Sequence, residues 1–190
     1  ASDTLKVGFG YFIQKHLSTL DENGEWFYDA ATNDVYMYSN ADLGAGVAVI
    51  EVSICDTGLL VVDSEFVTVE NLTVMNTRVL GTGISKSNNV TLNAIRILNS
   101  GANGLALIGC KNPTVLNCTI RGSNNNGVQW GDNTDGLFSN NTIVRTGMYP
   151  GLGSSGNGTY IALSVTGANP NAGSNVICKI FGVVTSGGPV

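Results

Sequence analysis

The apolar residues of this chain alternate along the sequence and do not follow a helical stripe. Over residues 66–77, 89–100 and 112–123 the segments FVTVENLTVMNT, NVTLNAIRILNS and NPTVLNCTIRGS align without a gap, and DGLFSNNTIVRT continues the series at 135–146. Their starts, Phe66, Asn89, Asn112 and Asp135, keep a constant period of 23. NVICKIFGVVTS reads as a fifth copy from Asn175. Its interval from Asp135 is 175−135, or 40, so 17 are inserted beyond one period. Val67, Val69, Leu72 and Val74 recur as Val90, Leu92, Ile95 and Ile97, then as Val115, Cys118 and Ile120. Each copy is therefore a period-2 strand, a one-residue break and a second period-2 strand.

A second column accompanies the first. Gly58, Gly83, Gly104, Gly127 and Gly158 each open a short strand-like run and each follow Thr or Asn. Neighbouring Gly, Ser and Asn read as turn chemistry, in which φ > 0 is needed. A period near 23 holding two or three short strands predicts one turn of a parallel β-solenoid. A single coil cannot bury its apolar face, so coils stack about 4.8 Å apart and share a core. An antiparallel sandwich would not keep like residues in register column after column. The expected architecture is all-β: a right-handed parallel β-helix of about five coils. Two stretches break the repeat, about 148–155 (8 extra) and about 166–174 (9 extra). Lengthened solenoid loops commonly flank a binding face.

Upstream the pattern changes. FGYFIQKHLSTL (9–20) spaces Phe9, Phe12, Ile13, His16, Leu17 and Leu20 as one face of a short amphipathic helix, suited to covering an edge of the solenoid core. EWFYD and DVYMY around the turn AATN predict a β-hairpin. The expected division is residues 1–45 for this helix and hairpin and 46–190 for the solenoid.

The cysteines follow from the columns. Cys118 falls in the Leu72/Ile95 column and Cys178 in the Val69/Leu92 column, so both are expected inside as free thiols. Two coils, roughly 10 Å, separate them, too far for a disulfide. No C-x-x-C pair is present, so a zinc or redox site is not indicated.

Composition narrows the function classes. A net charge of −5 with nine Lys plus Arg argues against a nucleic-acid or anionic-membrane binder. With 43% apolar residues the chain is expected to fold, yet no apolar run approaches the roughly 18–20 residues of a membrane span. The start, ASDTLKVG, lacks the basic and apolar regions of a signal peptide, as a mature exported protein or an excised piece would. Twenty-five glycines against four prolines fit a turn-rich solenoid.

GYFIQKHLSTLDENGEWFYDAATNDVYMY and the N-V-T-L, N-G-L and N-G-V coils behind it resemble bacterial right-handed parallel β-helix proteins of the pectate-lyase-like superfamily. The resemblance covers nearly the whole chain. It implies the fold and a secreted, extracellular or periplasmic carbohydrate-active protein. It leaves the activity open, because that superfamily holds lyases, glycosidases, epimerases and non-catalytic adhesins. Its members are usually longer, which raises either a missing remainder of a longer chain or self-association through the ends.

The residues themselves carry little overt chemistry. Glycosidases need paired carboxylates. The positions before the glycines (Thr57, Thr82, Asn103, Asn126, Asn157) and the outward positions after them (Leu60, Ser85, Ala106, Gln129, Tyr160) contain none. A lyase instead removes a proton with a basic group and neutralises a uronate carboxylate with Ca²⁺ or a cation. Lys86 and Lys111 are the candidate catalytic bases, with Arg96 and Arg121 as clamps and Gln129, Trp130, Asp132 and Tyr160 as further substrate-binding candidates. Asp63, Glu65 and Glu70 offer hard oxygen ligands, so Ca²⁺ is the one cofactor to consider, although no Ca²⁺-loop motif holds them. Trp26, Tyr28, Tyr36 and Tyr38 are candidates for stacking on sugars, against the alternative that hairpin aromatics cover core. The asparagines at 71, 88, 89, 117 and 140 fit stacked turn residues better than a ligand row. The two functional expectations are a polysaccharide lyase-like protein acting on or binding an extracellular, uronate-type polysaccharide, and a non-catalytic adhesive or structural β-helix.

Overall fold

The computed structural model describes residues 16–41, 43–44, 50–147 and 161–166, and the backbone of 176–180. These fall into two compact units, one ending at Glu51 and the other beginning at Val52.

In the first unit the expected hairpin forms. β1 (Trp26–Asp29) pairs antiparallel with β2 (Asp34–Met37), Trp26 facing Met37 and Asp29 facing Asp34. Asn33 closes the turn at φ 63, a left-handed conformation that Asn tolerates. Phe27 and Tyr36 stack across the strands with ring centroids 6.3 Å apart. Residues 9–15 of the expected helix lie outside the described residues. From His16 on, the short helix is a single 3₁₀ turn, Leu17–Thr19, with His16 before it in extended backbone, so it is shorter than the spacing predicts. The His16 ring Nδ1 accepts the Ser18 amide at 3.2 Å and caps the start of the turn, and Leu20 ends it with extended backbone (φ −84, ψ 93).

The second unit is a parallel β-solenoid. Its strands are β3 (Thr57–Val62), β4 (Thr68–Glu70), β5 (Thr73–Thr77), β6 (Leu80–Ser85), β7 (Thr91–Asn93), β8 (Arg96–Ser100), β9 (Asn103–Ile108), β10 (Thr114–Leu116), β11 (Thr119–Arg121), β12 (Val128–Gly131), β13 (Leu137–Val144), β14 (Leu163–Thr166) and β15 (Val176–Ile180). One sheet runs β14-β12-β9-β6-β3. The other stacks β4-β7-β10 on one half of β13 and β5-β8-β11 on the other, with β15 pairing the far edge of β13. Four coils are thus complete, and β14 and β15 take the next place in each sheet. The core is the inward stack that the alternation predicts: Leu92 over Val115 over Phe138, and Ile97 over Ile120 over Ile143, all at most 1% exposed.

The glycine column differs from the expected one. Register places Gly81, not Gly83, beside Gly58, and continues through Gly104 and Gly127 to Ala162, not Gly158. None of these four glycines has positive φ. They are required by close approach: a Cβ at Gly58, Gly81, Gly104 or Gly127 would overlap Val74, Ile97, Ile120 or Ile143 of the facing sheet. The added length also shifts. The Asn126 amide bonds Asn103 across an interval of 23, whereas the equivalent bond from Ile161 to Asn126 spans 35. The insertion before β14 is therefore 35−23, or 12, in place of the expected 8. Phe138 then pairs with Val176, so Val176, not Cys178, occupies the Val69/Leu92 column. The step from Leu163 to Val176 exceeds that from Val128 to Phe138 by only 3, in place of 9. The inserted residues themselves lie outside the described set, as does the side chain of Cys178.

Candidate functional site

Each coil turns at three corners, marked by left-handed backbone in two residue columns at the first corner and one at each of the others. Asp63, Lys86, Gly109 and Asp132 open the first corner and Phe66, Asn89, Asn112 and Asp135 close it. Asn71, Ala94, Asn117 and Asn140 make the second; Asn76, Asn99, Gly122 and Arg145 make the third. Asn, Asp and Gly predominate because they bear this conformation at least cost. Their amides bond from coil to coil: Asn112 to Asn89 at 3.1 Å, Asn99 to Asn76 at 3.1 Å, and Asn140 to Asn117 to Asn93 to Glu70. These asparagines hold corners, as expected from the sequence.

The first corner brings several candidates together. Lys86 and Asp132 share one exposed column with Asp63, and Lys111 shares the neighbouring one with Glu65, Asn88 and Thr134. Asp135 is exposed beside them. Arg96 and Arg121 are elsewhere. A whole strand, β7 or β10, and the second corner separate them from the lysines, so the expected base-and-clamp pairs are not formed. Both arginines are exposed on the outward face of β8 and β11, in different columns.

The outward column of the first sheet is Leu60, Gly83, Ala106, Gln129 and Ser164. The sequence spacing predicts Ser85 and Tyr160 there. Ser85 stands two residues along, opposite Ile108, because the glycine register is shifted by two. Tyr160 lies outside the described residues, and Ser164 has its expected place. Gln129 is half-buried and accepts from Asn103 at 3.3 Å. Trp130 is 2% exposed and packs edge-on against Phe138 at 5.9 Å, so its ring belongs to the core.

Carboxylates do not converge. Glu65 accepts from Asn88 and Glu70 from Asn93, each across one coil. Among the described residues no group of three or more His, Cys, Asp or Glu is placed to hold a metal ion. Asp56 forms an exposed ion pair with Arg78 at 2.6 Å, and that hydrogen bond holds its carboxyl below the usual value. Cys110 and Cys118 are buried and free, and burial raises both thiols above their ordinary value. Cys55 is exposed.

The hairpin presents something the sequence leaves undecided. Trp26 is 59% exposed and Tyr28 46%, and alternation puts both on one face of β1. The Tyr28 hydroxyl donates to Asn33 at 2.7 Å, which fixes that ring beside the turn.

The family described as "Right handed beta helix region" matches residues 33–189, in agreement with the coil register. The chain belongs to this family. No curated protein and no solved structure matches the chain. For a right-handed β-helix, chemistry resides on outward columns and corners, since the inward positions are filled by packing. Here the outward columns carry hydroxyl, amide and scattered charged groups, and among the described residues Lys86, Lys111 and Asp132 are the sequence-selected candidates that the coil register gathers at one corner. No helix among the described residues is long and apolar enough to cross a membrane.

Proposed function

We propose that this β-helix is a polysaccharide-binding module of an exported protein, one that binds its glycan without needing to cleave it. The observation that carries the reading is the exposed pair Trp26 and Tyr28 on one face of β1. Aromatic faces stack on the apolar faces of sugar rings, and a ring locked in a strand loses little entropy on binding. The extracellular or periplasmic location belongs to the same proposal.

The test separates the two tryptophans. Trp130 is in the core and Trp26 is exposed, so a bound glycan should alter the emission of Trp26 alone. Titration with a panel of neutral and acidic polysaccharides should shift wild-type fluorescence, and Trp26→Phe should abolish the shift while leaving the buried emission intact. No shift with any polysaccharide, together with no retention on polysaccharide gels, would reject the reading. A second reading, uronate lysis, is favoured by Lys86, Lys111 and Asp132 sharing one corner. It requires an unsaturated product absorbing in the ultraviolet, lost in Lys86→Ala or Lys111→Ala. The separation of Arg96 and Arg121 from that corner makes binding the better supported reading.

A further inference from the structure

We propose that the outward face of β8, β11 and the end of β13 is a binding site for acidic polysaccharide, read by Arg96, Arg121 and Arg145. The inference rests on the binding-module reading above and adds where the glycan's anionic groups go. From Asn71 to Gly131 the chain contains no Asp or Glu, although its net charge is −5. The second and third coils are therefore purely cationic, and the register distributes that charge unequally. The lysines share their corner with Asp63, Glu65, Asp132 and Asp135, which offset them. The arginines stand apart. The columns on their face are Thr73–Arg96–Thr119–Thr142, Met75–Leu98–Arg121–Val144 and, at the corner, Asn76–Asn99–Gly122–Arg145. None contains a carboxylate.

All three arginines are exposed. They climb one coil at a time and drift along the strands, forming a diagonal. One coil is about 4.8 Å and each residue about 3.3 Å, so Arg96 to Arg121 spans about 8 Å between backbones and Arg121 to Arg145 about 6 Å. Long side chains can close or widen these gaps to match successive acidic groups on a flexible polymer. A guanidinium binds a carboxylate or sulfate through two parallel hydrogen bonds, so the row discriminates planar or tripodal oxyanions from neutral sugars. Threonine hydroxyls of the first column lie between the charges, within the same face, as donors and acceptors for sugar hydroxyls. A nucleic acid fits less well, because three cations neutralise few phosphates and this face offers no aromatic ring for base stacking.

The full chain should be tested against polygalacturonate, dextran sulfate, uncharged dextran and double-stranded DNA by affinity electrophoresis across a salt series. Tighter binding of either charged polysaccharide than of dextran, weakening with salt, is expected; which of the two is preferred identifies carboxylate or sulfate as the ligand group. Arg96→Ala, Arg121→Ala and Arg145→Ala should each weaken charged-polymer binding about fivefold, and the triple variant about a hundredfold. The Arg→Gln set repeats the test should an alanine variant melt early. Retained affinity in the folded triple variant would overturn the site. So would loss confined to Lys86→Ala or Lys111→Ala, or equal affinity for DNA. Binding of dextran with no preference for charged polymers overturns this inference but leaves the module reading standing, whereas binding of no polysaccharide removes both.

Discussion

At the scale of single residues, two glycines separate two physical causes. Gly104 lacks positive φ, and a Cβ there would overlap Ile120 and crowd Ser123 Oγ. Gly109 has open space around a Cβ but φ +64. Gly104→Ala should therefore destabilise by overpacking, about 1–3 kcal/mol in denaturant unfolding. Gly109→Ala should cost only the left-handed backbone term, about 1–2 kcal/mol, and Gly109→Asn should recover much of it. Equal losses at both positions, with no recovery by Asn, would contradict this division. The thiols give a pH prediction. Burial raises Cys110 and Cys118 above the ordinary 9.0, so below that pH both states are protonated and the full stability is present. As pH rises past 9.0 the unfolded chain ionises first and stability falls. At neutral pH, peptide mapping after alkylation should find Cys55 modified rapidly and Cys110 and Cys118 only on unfolding; rapid labelling of either buried thiol would refute their placement. The inward place of Cys118 was legible from its column alone. The role of the glycines was not, because close approach and positive φ both select Gly and only coordinates tell them apart.

At the scale of elements, the corners decide how well the coils register. Ala94 holds φ 54 in a column otherwise filled by Asn71, Asn117 and Asn140. Alanine bears the left-handed conformation at a cost, while the amide ladder passes the second coil through the neighbouring Asn93. Ala94→Asn should thus stabilise the protein by about 0.5–1 kcal/mol, raising the denaturation midpoint with an unchanged slope. A neutral or lower midpoint would show that left-handed backbone at this corner costs Ala no more than Asn. The fourth coil uses a different brace. Asn141 accepts the Cys118 amide at 2.7 Å and donates to the Val115 carbonyl at 2.9 Å; Asn133 does the same for Cys110 and Leu107. Both side chains are buried, so Asn141→Ala removes the partner of the Cys118 amide and one bond to the Val115 carbonyl, and should cost about 1–3 kcal/mol. The repeat period and the strand breaks were readable because three gapless copies carry them. Register beyond β13 is misplaced because the inserted length offers no periodic residues to anchor an alignment, and the N-terminal helix is shorter than its apolar spacing predicts because the backbone is extended at both His16 and Leu20.

At the scale of the whole molecule, a solenoid is held together by nearest-neighbour coils, so stability need not be uniform along its axis. One inward column shows the gradient directly: Leu72 is 41% exposed, whereas Ile95, Cys118 and Asn141 below it are at most 2% exposed. Among the described residues β3, β4 and β5 each end their stack, with pairing on one edge only. Hydrogen exchange should consequently be slowest for amides of β7, β9 and β10, flanked on both sides by paired strands, and faster by at least about tenfold for β3, β4 and β5, since about 1.4 kcal/mol less local stability suffices for that ratio. Leu72→Ala should be mild, below about 2 kcal/mol, while Ile95→Ala, one coil away in the same column, should cost about 3–5 kcal/mol because its cavity is enclosed. The same gradient bears on function. The arginine diagonal begins on the second coil and ends on the fourth, where the scaffold is best supported, so ligand binding there should slow exchange in β8 and β11 and leave the first coil unchanged. Protection spreading instead through β3, β4 and β5 would move the glycan contact to the first coil and away from Arg96, Arg121 and Arg145.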